Sequence, residues 1–404
     1  MRRERVVIIL CFLMVFICLG FCSSTRSLYL IPITEALGIS RSVFSLTESC
    51  QYITTAIVNL FFGTLISRFG SKKLIIAGFI SLMFAMFLYS STEVVWGFYL
   101  GSIFLGIGLS WTSTTMVGCI INGWCQEKQG VIMGVVLAAS GAGTAFATQI
   151  VSPLIYQENN AFGYRDSYRL IILILGILGV LFMLLYKEEA PEQPKEISEK
   201  TKKYGKDADV YRDIIRKSYF YMIAICIFLS GGILQGVYGV FPAYMKDVGI
   251  DAAYVVSVVS IHALIITASK FLSGVVYDKC GLRFVTSCCY ISAIISMLIL
   301  VYLENTSGGM IFAMAYAVIF AFALPLQTVI LPFFAKDLFN PRAYNLTLGL
   351  FVSINTAGYA CSGPIMNWVF DMCGSYKPVF IVCGLIMVAL LLCFQYVIRA
   401  SKQK

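Results

Sequence analysis

Residues 252–283 read AAYVVSVVSIHALIITASKFLSGVVYDKCGLR. The run from Ala252 to Tyr277 is long enough to cross a hydrocarbon layer about 30 Å thick as one helix, at about 1.5 Å per residue. A charge is set inside it. Lys270 stands eight residues before the first polar turn at Asp278, which puts it roughly 12 Å inside the layer. That position costs a cation on the order of 3 kcal/mol. A lysine there requires a partner, a water-filled cavity or a task. The single histidine of the chain, His262, lies on the same helix. Histidine titrates near neutral pH, so it is a candidate to carry a coupling proton or, equally, a structural residue.

The rest of the chain has the same character. Its 404 residues are 59% hydrophobic and 13% charged, against about 25% charged for soluble proteins. Long apolar runs with sharp charged breaks mean helices rather than a barrel of alternating strands. Twelve spans are expected near 6–30, 44–66, 74–91, 95–120, 130–155, 169–187, 218–245, 252–277, 284–303, 309–334, 346–370 and 379–399. The fold class read from this is an all-α membrane protein of twelve transmembrane helices. The N-terminal run resembles a signal peptide but lacks a small-residue cleavage box, and is read as the first span.

With an even number of spans both termini share a face. The loops on that face hold 23 of the 30 Lys and Arg residues and the opposite loops hold 5, the other two being Arg26 and Lys270. Loop cations favour the cytoplasmic side, so both termini are expected in the cytoplasm, in the inner (plasma) membrane. The formal charge of +9 therefore reflects helix ends and implies no nucleic-acid partner; the lipid bilayer is the expected surrounding. The fourteen cysteines show no metal-ligand spacing and read as packing residues. No phosphate loop, nucleophilic triad or paired-carboxylate arrangement is present, so neither an enzyme nor an ATP-driven pump is expected, and no cofactor.

Residues 188–217 form the one long polar interruption, read as a cytoplasmic linker between an N-terminal six-helix bundle (1–187) and a C-terminal one (218–404). The two halves repeat. Gly63-x-x-x-Ser67-Arg68-x-Gly70-x-Lys72-Lys73 follows the second span, and Gly274-x-x-x-Asp278-Lys279-x-Gly281-x-Arg283 follows the eighth. LGIS ending at Ser40 matches VGID ending at Asp251, and Pro153 matches Pro364, at the same spacing. Parallel six-helix repeats suit a carrier whose halves rock about a site between them.

These loops resemble the signature G-x-x-x-D-R-x-G-x-R/K of the major facilitator superfamily. The resemblance implies two bundles with a cytoplasmic gate formed by Gly63, Arg68, Gly70, Lys72, Gly274, Asp278, Lys279, Gly281 and Arg283. The first copy departs from the pattern at Ser67, where Asp is expected. Within that superfamily the chain is similar to the oxalate/formate antiporter and monocarboxylate transporter branch. The carrying residues are Arg26-Ser27-Leu28, Gly106-Ile107-Gly108, Gly130-x-x-x-Gly134 and Lys270-x-x-x-Gly274. The branch implies that the Lys270 cation contacts a substrate carboxylate. Two departures matter. Ile266 stands where proton-coupled monocarboxylate carriers have an aspartate, and Asn355 lies where the antiporters carry a second lysine.

The resulting expectation is a transporter of a small organic anion, a monocarboxylate first, acting as a monomer by exchange or uniport rather than strict proton symport. Substrate-binding candidates are Lys270, Arg26, Asn355, Tyr238 and Tyr52, the last three being polar groups at membrane depth that otherwise stitch helices together. Arg26 is near enough to the outer surface to act instead as an interfacial anchor. His262 and Glu48 are the coupling candidates, and Glu48 either pairs with Arg26 or is the polar start of its helix. Alternative readings are a drug or other solute efflux carrier, which asks for an acidic cavity, and a nutrient sensor that keeps the fold without turnover.

Overall fold

The computed structural model describes residues 2–124, 129–157, 160–187, 218–304, 306–338 and 344–402. The linker, 188–217, lies outside them. Among the described residues the regular structure is helical throughout, as backbone groups inside a bilayer must find their partners within the chain. Among the described residues nine stretches are long and apolar enough to cross a membrane. One of them, Ala252–Val301, is two spans joined at Gly281, whose φ of 78° breaks the helix. The second span (Arg41–Leu60 and Phe62–Phe69) and the eleventh (Tyr344–Cys373) are absent from that group and complete the twelve. They are the most polar spans, and they pack on each other.

The internal repeat is visible in the backbone. Gly38 and Gly249 both take left-handed φ, 61° and 93°, as C-terminal stops of the first and seventh spans. Ser40 and Asp251 follow as helix caps: the Ser40 hydroxyl accepts from the Val43 N–H, and the Asp251 carboxylate accepts from Ala253 and Tyr254. Gly70 and Gly281 form the second pair, at 80° and 78°. Each of these pairs stands one repeat apart.

Broken helices recur in equivalent places too. The fourth span is interrupted at Ser113, between Val95–Thr112 and Thr114–Trp124. The tenth is interrupted by a 3-10 turn at Leu324–Gln327, between Ser307–Ala321 and Ile330–Leu338. Pro325 sits in that turn and cannot supply a ladder N–H. The first span also departs from regular winding, passing through a π segment (Val15–Ser24) and a 3-10 turn (Arg26–Leu28). Such irregularity frees backbone carbonyls and often marks a functional stretch. Arg26 is on it.

Within each half, small residues set the closest approaches. A Cβ on Gly20 would lie 2.5 Å from the Gly143 carbonyl carbon, joining the first span to the fifth, and one on Gly232 would lie 3.1 Å from the Gly358 oxygen, joining the seventh to the eleventh. Helices in lipid associate through this kind of packing, because burial from water cannot drive them together. The outward faces are correspondingly apolar: Phe271 is 77% and Leu184 71% exposed, which lipid tolerates and water would not.

Candidate functional site

The first half meets the second along two seams. The face on which the chain termini lie is called the terminal face below, and its opposite the far face. One seam pairs the second span with the eleventh, turn by turn from the far face inward. Ser42 N–H donates to Asp371 Oδ2 at 2.9 Å. The Arg41 guanidinium grips Asp247 of the seventh span with two hydrogen bonds, one of 2.7 Å, and lies 4.0 Å over the Phe370 ring. About two turns deeper, Glu48 Oε2 lies 2.9 Å from where Gly363 would carry a Cβ. The Ser49 hydroxyl then donates to the Ala360 carbonyl. Near mid-depth the Tyr52 hydroxyl accepts from Gln235 Nε2 at 2.9 Å, with its ring 5.5 Å from that of Tyr359.

The other seam pairs the fifth span with the eighth. Gln149 Nε2 donates to Ser260 Oγ at 3.1 Å, and the Ser260 hydroxyl reaches the Ala145 carbonyl at 3.3 Å. A Cβ on Gly141 would lie 2.0 Å from Thr267 Oγ1, so only glycine admits that contact. At the far end Lys246 sits 3.9 Å over the Tyr156 ring.

Both seams stop near mid-depth. The hydrogen bonds, ion pair and ring contacts found between the halves among the described residues all lie from there to the far face. Lys270 is three residues past Thr267, just beyond the last contact of the second seam. It is half-buried, and no described residue gives it a hydrogen bond or ion pair. A Cβ on Gly274, one turn further, would meet nothing within 4 Å. The lysine therefore stands where the halves part.

At the terminal face the two signature loops are open to solvent. Arg68, Asp278, Lys279 and Arg283 are exposed, and Lys72 is half-buried. Arg283 Nε donates to Gln395 Oε1 of its own half at 2.5 Å. Among the described residues no ion pair joins one loop to the other. Gly63 lies in the helix before the first loop, and the Ser67 side chain is outside the described ones.

Two central candidates, Asn355 and Tyr52, share one network. Asn355 Nδ2 donates to the Tyr359 hydroxyl at 2.7 Å and to the Gln327 carbonyl at 3.2 Å, and Gln327 Nε2 donates to the Gly231 carbonyl at 3.1 Å. These bonds fasten the seventh, tenth and eleventh spans around the tenth-span break, and Tyr52 joins through Tyr359. Tyr238 lies beside Ser24 of the first span. His262 is elsewhere. It is fully buried among Tyr238, Phe241, Tyr316 and Phe320, ring centroids 5.5–6.4 Å away, and its Nδ1 lies 2.6 Å from the Ala317 carbonyl.

Arg26 and Glu48 share a small cavity of about 30 Å³ with Thr47, Tyr89, Tyr168 and Asn367. Arg26 Nη2 donates to Thr47 Oγ1 at 3.3 Å, while Arg26 and Glu48 form no ion pair within 4.0 Å. Arg41, Asp247, Asp371 and the glycines facing Glu48 were not expected from the sequence. The one available signal was that the second and eleventh spans are both too polar to face lipid.

Comparison with known proteins agrees with this architecture. The family model described as Major Facilitator Superfamily matches residues 8–343. The chain is 22% identical over 368 residues to the sialic acid transporter NanX of Escherichia coli, covering 88% of this chain and 85% of that protein. It is 24% identical over 355 residues to human monocarboxylate transporter 2, covering 80% and 71%. The crystal structure of the nucleoside transporter NupG (D323A mutant) superposes with a TM-score of 0.81 at 14% identity, over 98% of this chain and 99% of that one.

Proposed function

We propose that this chain, which belongs to the major facilitator superfamily and is a multi-pass membrane transporter rather than an enzyme, carries a small organic anion by alternating access. The observation that carries the reading is Lys270, a cation with no hydrogen-bond or ion-pair partner among the described residues, just past the last contact of the fifth–eighth seam. A carboxylate bound there would offset the cost of holding an ammonium at that depth, and that gain is available for the rocking of the halves. The in-span charges, Lys270 and Arg26 against Glu48, favour an anion over a cation. The names of two relatives, for sialic acid and for monocarboxylates, are in keeping with an acid as cargo.

The halves 1–187 and 218–404 act as the rocking bodies, joined through 188–217. With the termini in the cytoplasm of a plasma-membrane protein, the far face is the outside. Bonded outer seams, and signature loops with no described ion pair between them, support a carrier open to the cytoplasm. Exchange or uniport is favoured over strict proton symport, because Ile266 supplies no acid beside Lys270. Monocarboxylates are the first cargo to try.

The test is uptake of formate, lactate, pyruvate and oxalate by proteoliposomes, with and without a pH gradient. Losing one charge-assisted contact of about 1.5–3 kcal/mol predicts that Lys270→Gln lowers kcat/KM roughly 10- to 100-fold. Lys270→Arg should keep part of the activity. An unchanged affinity in Lys270→Gln sinks the assignment.

A further inference from the structure

The carboxylate of Glu48 is held in an unusual way. It makes no hydrogen bond and no ion pair with any described residue, although it shares a cavity with the Arg26 guanidinium. Arg26 has five N–H donors to offer, and its bond to Thr47 uses one. Two opposite charges thus stand in one enclosed space without touching. The cavity's 30 Å³ has room for roughly two water molecules, enough to bridge them.

Glu48 also reaches across the interface. Its Oε2 lies 2.9 Å from the position of a Gly363 Cβ and 3.8 Å from that of Gly239. The carboxylate of the first half is therefore seated on bare backbone of the eleventh and seventh spans in the second half. The next residue, Ser49, bonds the Ala360 carbonyl in the same seam. A Cβ at Gly363 would force the Glu48 carboxylate to shift on its seat.

We infer that Glu48 is a built-in stand-in for the cargo's carboxylate. When the far face closes, Glu48 occupies the field of Arg26 and seals the seam on Gly363 and Gly239. An acid arriving from the far side takes Arg26 for itself, Glu48 leaves its seat, and the seam is free to open. On closing, Glu48 reclaims the guanidinium and the anion is left to Lys270. This rests on the anion reading above and adds to it a reason for a carboxylate beside Arg26 within the second span.

Hydrogen–deuterium exchange on the full chain in lipid nanodiscs separates the parts. Without any acid, Glu48→Gln and Gly363→Ala should each speed amide exchange in segments 41–55 and 356–371 at least tenfold over wild type. Alanine is the better helix former, so harm from Gly363→Ala must come from the contact itself. The double variant Glu48→Ala/Gly363→Ala should therefore exchange no faster than Glu48→Ala alone. Added pyruvate should speed exchange of the same segments in wild type, with half-effect at a several-fold lower concentration in Glu48→Gln. Unchanged exchange in both single variants overturns the seat, whatever the cargo. Uptake of pyruvate in proteoliposomes with no effect on wild-type exchange overturns the competition alone. No uptake of any of the four acids would instead remove the anion reading, and the competition with it.

Discussion

Lys270 and His262 occupy one helix and have opposite surroundings. The ammonium has no hydrogen-bond or ion-pair partner among the described residues, whereas the imidazole is packed into aromatic rings with a backbone carbonyl at Nδ1. Rings at these distances are worth about 0.5–1.5 kcal/mol each beyond the area they bury. His262→Ala should thus lower the thermal midpoint, by about 2–5 kcal/mol of stability, while leaving pyruvate KM within twofold; differential scanning fluorimetry beside uptake kinetics checks both. The sequence alone does not separate the two residues. Helical geometry puts them about 80° apart on one helix, but which neighbours fill each side depends on the tenth span, and 55 residues separate His262 from Ala317. The isolation of Lys270 was legible earlier, since no acid stands a turn away on either side.

The fourth and tenth spans are broken at equivalent points, Ser113 and Leu324–Gln327. A break there gives the tenth span a hinge, whose turn is held by the network of Asn355 and Gln327. Pro325→Ala returns a ladder donor to the turn and favours continuous helix. Turnover should fall several-fold with cargo affinity preserved, measured as kcat against KM in proteoliposomes. Prolines and glycine pairs announce such features in the sequence, and the repeat of 63–73 at 274–283 made the two-body architecture readable. The seam between the second and eleventh spans was not readable in the same way. Its members are small or singly polar residues, each of which fits helix stitching as well as a gate. Only their alignment across more than 300 residues, as for Ser42 and Asp371, gives them a common purpose.

For the whole molecule, opening of the far face is opposed by a short set of bonds with Arg41 at its centre. The guanidinium bridges the halves to Asp247, and its own N–H and that of Ser42 face Asp371. Asp247→Asn removes the charge while keeping the size. At about 1–2 kcal/mol for such a contact, the far-open population should rise roughly 5- to 30-fold. An impermeant maleimide added at the far side, with Cys50 followed by peptide mass spectrometry, reads that shift, and Arg41→Asp/Asp247→Arg should reverse it. In the proposed mechanism Lys270 has an electrical consequence as well. In-span Lys270 and Arg26 against Glu48 leave the empty site with one net positive charge, which a bound monoanion cancels. A charge moved fully across the membrane gains or loses about 2.3 kcal/mol per 100 mV. In the proposed orientation an inside-negative voltage therefore holds the empty carrier towards the cytoplasm and hardly acts on the loaded one. One-for-one exchange of anions runs blind to voltage, while net export and net import become unequal, so the cell's own battery rectifies the carrier.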